Sequence, residues 1–285
     1  MNDSPTLIHQ FLEKSAEKFS EKTAVIKGDT RATYSRINSN ANKMAHFLFA
    51  WGIEKGDRVV LILDNSIEYI IAYYSVLKAG AVAVPLSTDL KPDSLKPLLE
   101  DMEPVAIISS KKFERLLKAT DLECLSLKLI ILKDPKNMWA ESGFKVFSWD
   151  DVIKERETLK QNIAIAESEL ASIIYTSGST GIPKGVMLSH KNIVSNTLSI
   201  CSYLNLTDSD IQMVVLPFFY VMGKSLLNTH FAKGGTVVIN TKFAYPAAVV
   251  KQILDDDRNI RIPQGRMINC IRAGYGFATY QHIDL

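Results

Sequence analysis

Between Tyr175 and His190 the chain reads YTSGSTGIPKGVMLSH, sixteen positions holding six hydroxyls, three glycines and one lysine. Glycines let successive backbone N–H groups turn toward one point without a Cβ in the way, which makes an anion nest. Serine and threonine hydroxyls add donors for phosphate oxygens, and a lysine adds a mobile positive charge. One charge-assisted hydrogen bond contributes about 1.5–3 kcal/mol net, so several converging donors could hold a polyphosphate against water.

Two other readings compete. Aligned on its lysine as a GxxxxGK[ST] loop, the stretch gives Gly178-Ser179-Thr180-Gly181-Ile182-Pro183-Lys184-Gly185. Pro183 then stands where the second glycine must donate its N–H, and Gly185 where the magnesium-binding hydroxyl belongs. Both changes remove functional atoms, which argues against an ordinary P-loop NTPase. A plain Ser/Gly linker rarely follows an apolar strand directly or carries an embedded Pro-Lys-Gly.

The elements that must position this loop can be read from the apolar pattern. Asp3-Ser4-Pro5 caps a helix with Leu7, Phe11 and Leu12 on one side. TAVIKGDTRATY reads as a hairpin turning at Gly28-Asp29, and Ile37, Ala41, Met44, Ala45 and Leu48 recur at helical spacing. Strands then alternate with helices: RVVLIL, a helix over about 66–79, AVAVPL, a helix over 92–102, VAIIS, a helix over 111–119, and LKLIIL. A turn-rich break at 133–143 and a polar connection at 155–169 lead to LASIIY and the quoted loop. A helix from about 190 to 204, IQMVVLP, a helix over 223–231 and TVVI follow. Short uninterrupted apolar strands separated by helices mark an α/β fold with parallel sheet covered on both faces. Two lobes are expected, at about 1–160 and 161–255.

Composition narrows the function. The net charge is +2 with no dense basic stripe, so no nucleic-acid partner is expected. Cys124, Cys201 and Cys270 are sparse and lack a CxxC pair, which fits a reducing compartment and neither a disulfide framework nor a zinc site. The apolar region 69–86 is interrupted by Lys78 and Gly80 and reads as a buried helix followed by a strand, not a membrane span. With no secretory signal in the first residues, a cytoplasmic protein is expected.

The quoted stretch resembles the signature loop of the acyl-adenylate-forming, AMP-dependent synthetase/ligase superfamily: acyl-CoA synthetases, peptide-synthetase adenylation domains and luciferases. TYSRINSNANKMAHFLFAWGIEKGDRVVLIL and SVLKAGAVAVPLS resemble its early motifs. LPFFYVMGKSLLNTHFAKGGTVVI resembles the motif after the loop, in an acyl-CoA-ligase form. The match runs in order from about Thr6 to Asp255.

The resemblance implies two doubly wound, largely parallel sheet lobes of an adenylate-forming N-terminal domain. It implies a reaction in which a carboxylate attacks the α-phosphate of Mg-ATP, giving acyl-AMP and pyrophosphate. A thiol of coenzyme A or of an acyl carrier protein then takes the acyl group. By the match, Thr176, Ser177, Ser179 and Thr180, with the amides of Gly178 and Gly181, cradle the β- and γ-phosphates, and Lys184 lends charge to the leaving pyrophosphate. Phe219, Tyr220, Val221, Met222 and Gly223 fall on the acyl-pocket motif, with Tyr220 where many relatives carry histidine; Phe218, Phe219 and Tyr220 would equally serve as core aromatics. The motif leans toward a fatty or aryl acid. His190 is expected at a capped helix start, and Asp255 to Asp257 facing solvent.

The resemblance stops part-way. The Tyr-Gly-x-Thr-Glu motif whose glutamate holds magnesium is not found, and GYGFATYQ (274–281) echoes only its Tyr-Gly. No metal ligand set is therefore expected. The ribose-binding aspartate, the hinge and the C-terminal domain with its catalytic lysine are not found either, so no complete catalytic set is expected. Arg36 stands where relatives often have glutamate, on an expected exposed helix. The last thirty residues lack a helical or strand period and carry four arginines; 256–285 is expected to be a divergent, poorly structured tail. Two expectations stand: an incomplete acid–thiol ligase, inactive alone, or a non-catalytic nucleotide-binding or interaction fragment.

Overall fold

In the computed structural model, residues 4–123, 126–135, 143–154, 163–176 and 183–240 are described, with the backbone of 267–269 and 281–282. In chain order the elements are α1 His9–Lys18, β1 Thr23–Lys27, β2 Thr30–Thr33, α2 Tyr34–Ala50, β3 Arg58–Ile62, α3 Ile67–Lys78 and β4 Val82–Pro85. Next come α4 Pro92–Met102, β5 Ala106–Ser110, α5 Glu114–Ala119, β6 Leu129–Lys133, β7 Lys145–Ser148 and α6 Trp149–Lys154. The series ends with β8 Leu170–Thr176, β9 Lys184–Ser189, α7 His190–Tyr203, β10 Ile211–Val214, α8 Val221–Lys233, β11 Thr236–Ile239, β12 Met267–Asn269 and β13 Gln281–His282.

Two sheets organise these elements, one in the order β7-β6-β5-β3-β4-β8-β9 and one in the order β13-β12-β10-β11-β1-β2. Both are largely parallel, as expected; antiparallel pairs occur at β8/β9, β1/β2 and β12/β13. In the first sheet Val59–Ile62 of β3, all of β4 and Leu129–Leu132 of β6 are buried. That pattern is expected of parallel strands covered on both faces. α3 is buried at every position from Tyr69 to Leu77, and its first turn is fixed by Ser66, whose hydroxyl accepts from the Tyr69 N–H at 3.0 Å. α4 presents Leu95, Leu98, Leu99 and Met102 to the core. Its C-terminal carbonyls are closed by Arg58, whose Nε donates to Met102 O at 2.7 Å and Nη2 to Glu103 O at 3.0 Å.

The expected division at residue 160 is not where the compact units part. One unit comprises Met1–His9 and Ile37–Ile193, the other Gln10–Arg36 and Val194–Leu285. Hydrogen bonding decides this, not chain order. β8 joins the first sheet beside β4 at Ala83↔Ser172, where the buried Ser172 hydroxyl also donates to Ala83 O at 2.7 Å. The early hairpin turning at Gly28-Asp29 joins the second sheet, β1 lying parallel to β11. In that unit the buried Tyr34 hydroxyl donates to Gly235 O at 2.6 Å.

Four strands were not anticipated. β7 is a short edge strand, its Phe147 ring 4.5 Å from Trp51 and 4.9 Å from Phe47. β9 follows the glycine-rich loop directly. In the tail expected to be poorly structured, 267–269 runs parallel to β10, and 281–282 pairs antiparallel with 267–269. A paired edge supplies hydrogen bonds that no local period announces. The rest of 256–285, including Asp256, Asp257 and Cys270, lies outside the described residues, as do Asp255 and Cys124. Arg36 is exposed on α2, as expected. Among the described residues no helix is long and apolar enough to cross a membrane.

Each unit buries a histidine in its neutral form. The His190 Nδ1 accepts from the Ile8 N–H at 3.3 Å, and burial pushes its pKa down to about 4 against a smaller upward pull from Glu169. His230 is pushed down to about 4 by burial, against the Leu226 carbonyl and Asp210. Both folded values lie below the unfolded value near 6.5, so the unfolded chain binds more protons between pH 6.5 and 4. Stability is therefore full above pH 6.5 and falls as pH drops through that window, by at most about 3 kcal/mol per histidine. Denaturant midpoints measured at pH 7, 6 and 5 check this: they should fall stepwise, and a flat profile contradicts neutral burial.

Candidate functional site

The glycine-rich loop is closed at its base by the β8–β9 hairpin. Thr176 is the last residue of β8 and Lys184 the first of β9, and the two are directly opposed, as are Tyr175 and Gly185 one step inward. Opposed residues share a face and neighbours alternate, so Thr176 and Lys184 stand on one face and Tyr175 and Gly185 on the other. Because β8 runs parallel to β4, both loop ends lie at the carboxyl edge of the first sheet, the edge where open α/β sheets bind ligands. Thr176 and Lys184 are both exposed. The Thr176 hydroxyl reaches the Lys184 carbonyl at 3.5 Å. Among the described residues no carboxylate forms an ion pair with Lys184. Ser177, Gly178, Ser179, Thr180 and Gly181 lie outside the described residues.

His190 begins α7 immediately after the hairpin, under a closed cap. The Ser189 hydroxyl accepts from the Asn192 N–H at 3.2 Å, and Asn192 Oδ1 accepts from the Ser189 N–H at 3.0 Å. Its placement is structural, as expected.

The second cluster lies in the other unit, at the entry to α8. Phe218 is fully buried and Phe219 nearly so, which anchors the turn. Tyr220, Val221 and Met222 are then exposed by 55%, 53% and 41%, a run of large side chains that the core does not absorb. The Phe219 and Tyr220 rings lie 4.5 Å apart. Thus two of the three aromatics in this motif are core residues and the third is presented outward. Gly223 makes the turn possible: a Cβ there would lie 2.2 Å from Pro217 O and 2.9 Å from Leu216 O.

Lys224, the next residue, was not singled out by the sequence reading. It is 3% exposed, and burial pushes its ammonium down to about 7. A lysine directly after a motif glycine in an otherwise apolar run was the available signal. Among the described residues no group of three His, Cys, Asp or Glu side chains could hold a metal ion.

A family profile described as AMP-binding enzyme matches residues 12–260. The chain belongs to the AMP-binding enzyme family. This AMP-binding chain is 32% identical over 203 residues to surfactin synthase subunit 2 of Bacillus subtilis, covering 71% of the chain and 5% of that protein. It is 28% identical over 243 residues to the crotonobetaine/carnitine–CoA ligase of Salmonella paratyphi A, covering 83% of the chain and 47% of the ligase. Among solved structures, a long-chain-fatty-acid-CoA ligase of Archaeoglobus fulgidus superposes with a TM-score of 0.71 at 26% identity, covering 83% of this chain and 48% of that one. The chain thus spans about half the length of the CoA ligases it matches and a far smaller share of the synthase subunit.

The Gly223 contact yields a stability prediction. Gly223→Ala forces the Pro217 backbone off the first turn of α8 and should cost about 1–3 kcal/mol, as overpacking does. A shift of the denaturant midpoint in the second unit measures it, and an unshifted midpoint refutes the close approach.

Proposed function

We propose that this AMP-binding chain supplies the phosphate grip of an acid–thiol ligase. The grip comprises the hydroxyls of Thr176, Ser177, Ser179 and Thr180, the amides of Gly178 and Gly181, and the ammonium of Lys184. The observation that carries the reading is the facing pair Thr176 and Lys184, exposed on one face at the carboxyl edge of a parallel sheet. A hydroxyl donor and a mobile cation fixed side by side suit the oxygens of a polyphosphate.

In the proposed reaction a carboxylate oxygen attacks the α-phosphorus of ATP, a new P–O bond forms, and the bond to the bridging oxygen breaks as pyrophosphate leaves. Charge builds on the leaving pyrophosphate, and Lys184 with the loop donors neutralises it there. A thiol then attacks the acyl carbon, the bond from that carbon to the phosphate oxygen breaks as AMP leaves with the bonding pair, and the thiol proton passes to solvent. Magnesium accompanies ATP in such chemistry and supplies further charge neutralisation when bound. The described residues offer it no cluster of three His, Cys, Asp or Glu side chains.

Two matched proteins are named as CoA ligases, which supports coenzyme A as the thiol acceptor. The match to a synthase subunit keeps a carrier-protein thiol as the other acceptor. For the acid, the exposed run Tyr220, Val221 and Met222 with Phe219 behind it suits an apolar fatty or aryl group.

Lys184 is exposed, so replacing it should leave the fold intact while removing one charge-assisted contact. Lys184→Ala should weaken Mg-ATP binding by the purified chain about tenfold or more. Titration calorimetry with both proteins tests this, and equal affinities would falsify the role of the loop.

A further inference from the structure

The loop ends are held from behind by a contact that the phosphate chemistry does not use. The Tyr175 side chain, on the face opposite Thr176, packs against the core cluster that contains Leu95, Leu98, Leu99 and Met102 of α4. Its hydroxyl donates to Asp101 Oδ2 at 2.7 Å. Burial first, then the carboxylate, raises the Tyr175 pKa well above the ordinary phenol range, so the hydroxyl remains a donor. Across the hairpin, Gly185 leaves room for the ring: a Cβ there would lie 2.9 Å from Ile173 Cγ2 and 3.4 Å from Tyr175 Cζ.

Asp101 is not placed to help its own helix. It sits in the last turn of α4, where a carboxylate opposes the helix dipole. It is also exposed, so it fills no core volume. The helix end that carries it is immobilised by the two Arg58 donations to Met102 and Glu103 carbonyls. A phenylalanine would satisfy the packing alone; the hydroxyl adds a directed bond to a fixed point.

The geometry points to Tyr175 as a positioning residue for the nucleotide loop, tying the β8 end through Asp101 to α4 so that Thr176 and Lys184 stay opposed. This assignment rests on the proposed phosphate grip. Tyr175 itself, on the opposite face, touches no phosphate.

Mg-ATP affinity of the full chain, measured by calorimetry, tests the assignment. Tyr175→Phe keeps the ring and removes the bond, and Asp101→Ala removes the acceptor. Each should weaken binding about three- to tenfold, the range of one net hydrogen bond. The double variant should be no weaker than either single one, because both break the same contact. Asp101→Asn, whose amide oxygen still accepts the tyrosyl proton, should restore affinity to within about twofold of the unaltered chain. Thermal midpoints should move by at most a few degrees in every variant, since the bond lies at the surface.

If Tyr175→Phe binds like the unaltered chain while Lys184→Ala binds weakly, the positioning role is overturned and the phosphate grip stands. If Asp101→Asn stays as weak as Asp101→Ala, the effect does not travel through this bond, and the role is overturned as well. If even Lys184→Ala binds like the unaltered chain, the phosphate grip fails and takes the positioning role with it.

Discussion

Everything proposed for the nucleotide loop depends on the register between β8 and β9. Side chains alternate faces along a strand, so a slip of one residue would move Lys184 from the exposed face to the face where Tyr175 packs. The register is held on the inner face by Ile173 and Tyr175 against the core, and by Gly185, the small residue across from the ring. Further from the loop the pairing shifts between Leu170 and Ser172, and that irregularity leaves the opposition of Thr176 and Lys184 intact. A loop whose ends are fixed in this way needs less ordering when an anion arrives, because the closure of its base is already made.

The same hairpin explains why the chain does not fold as two consecutive lobes. A parallel strand needs a partner running the same way, and the chain must cross over to provide one. β4 finds its second neighbour in β8, far along the sequence, while β11 finds its neighbour in β1, near the start. Each compact unit is therefore built from two separate stretches of chain. The stretch between residues 155 and 169 looks like a boundary because it is polar. Its described part, 163–169, lies in the same unit as β7 before it and β8 after it.

What the sequence made legible follows from this physics. Strands such as VVLI of β3 and LIIL of β6 are apolar at every position because both faces are covered, and helices such as α3 carry their caps and their apolar runs in plain view. β9 was hidden because KGVMLS is exposed over its first four residues and begins with Lys-Gly after a proline, which reads as loop. β7 was hidden because its Phe147 meets aromatics from α2 at long range, and no local alternation marks it. At the candidate site, residue types pointed to the proposed phosphate grip. The tie between Tyr175 and Asp101 spans 74 residues of chain and had no local signal. Lys224 was overlooked for a related reason: a lysine near a helix start is normally a solvated residue, and only packing showed it buried.

The entry to α8 shows how one short motif can divide its labour. In Pro217-Phe218-Phe219-Tyr220-Val221-Met222-Gly223, the first two aromatics are buried and hold the turn, and Gly223 lets the Leu216-Pro217 backbone lie directly on the first helical turn. With the turn held at both ends, the three residues between are pushed outward together. The exposed half of these three adjacent large side chains gains nothing for folding, since apolar area left in water forgoes about 25 cal/mol for each Å² that burial would have contributed. Their exposure therefore calls for an explanation other than folding. An apolar acyl chain or aryl ring, as the proposed acid would bring, covers such a surface and recovers that free energy on binding. On this view Phe218 and Phe219 serve the fold, Tyr220 to Met222 serve the substrate, and the glycine allows both within seven residues.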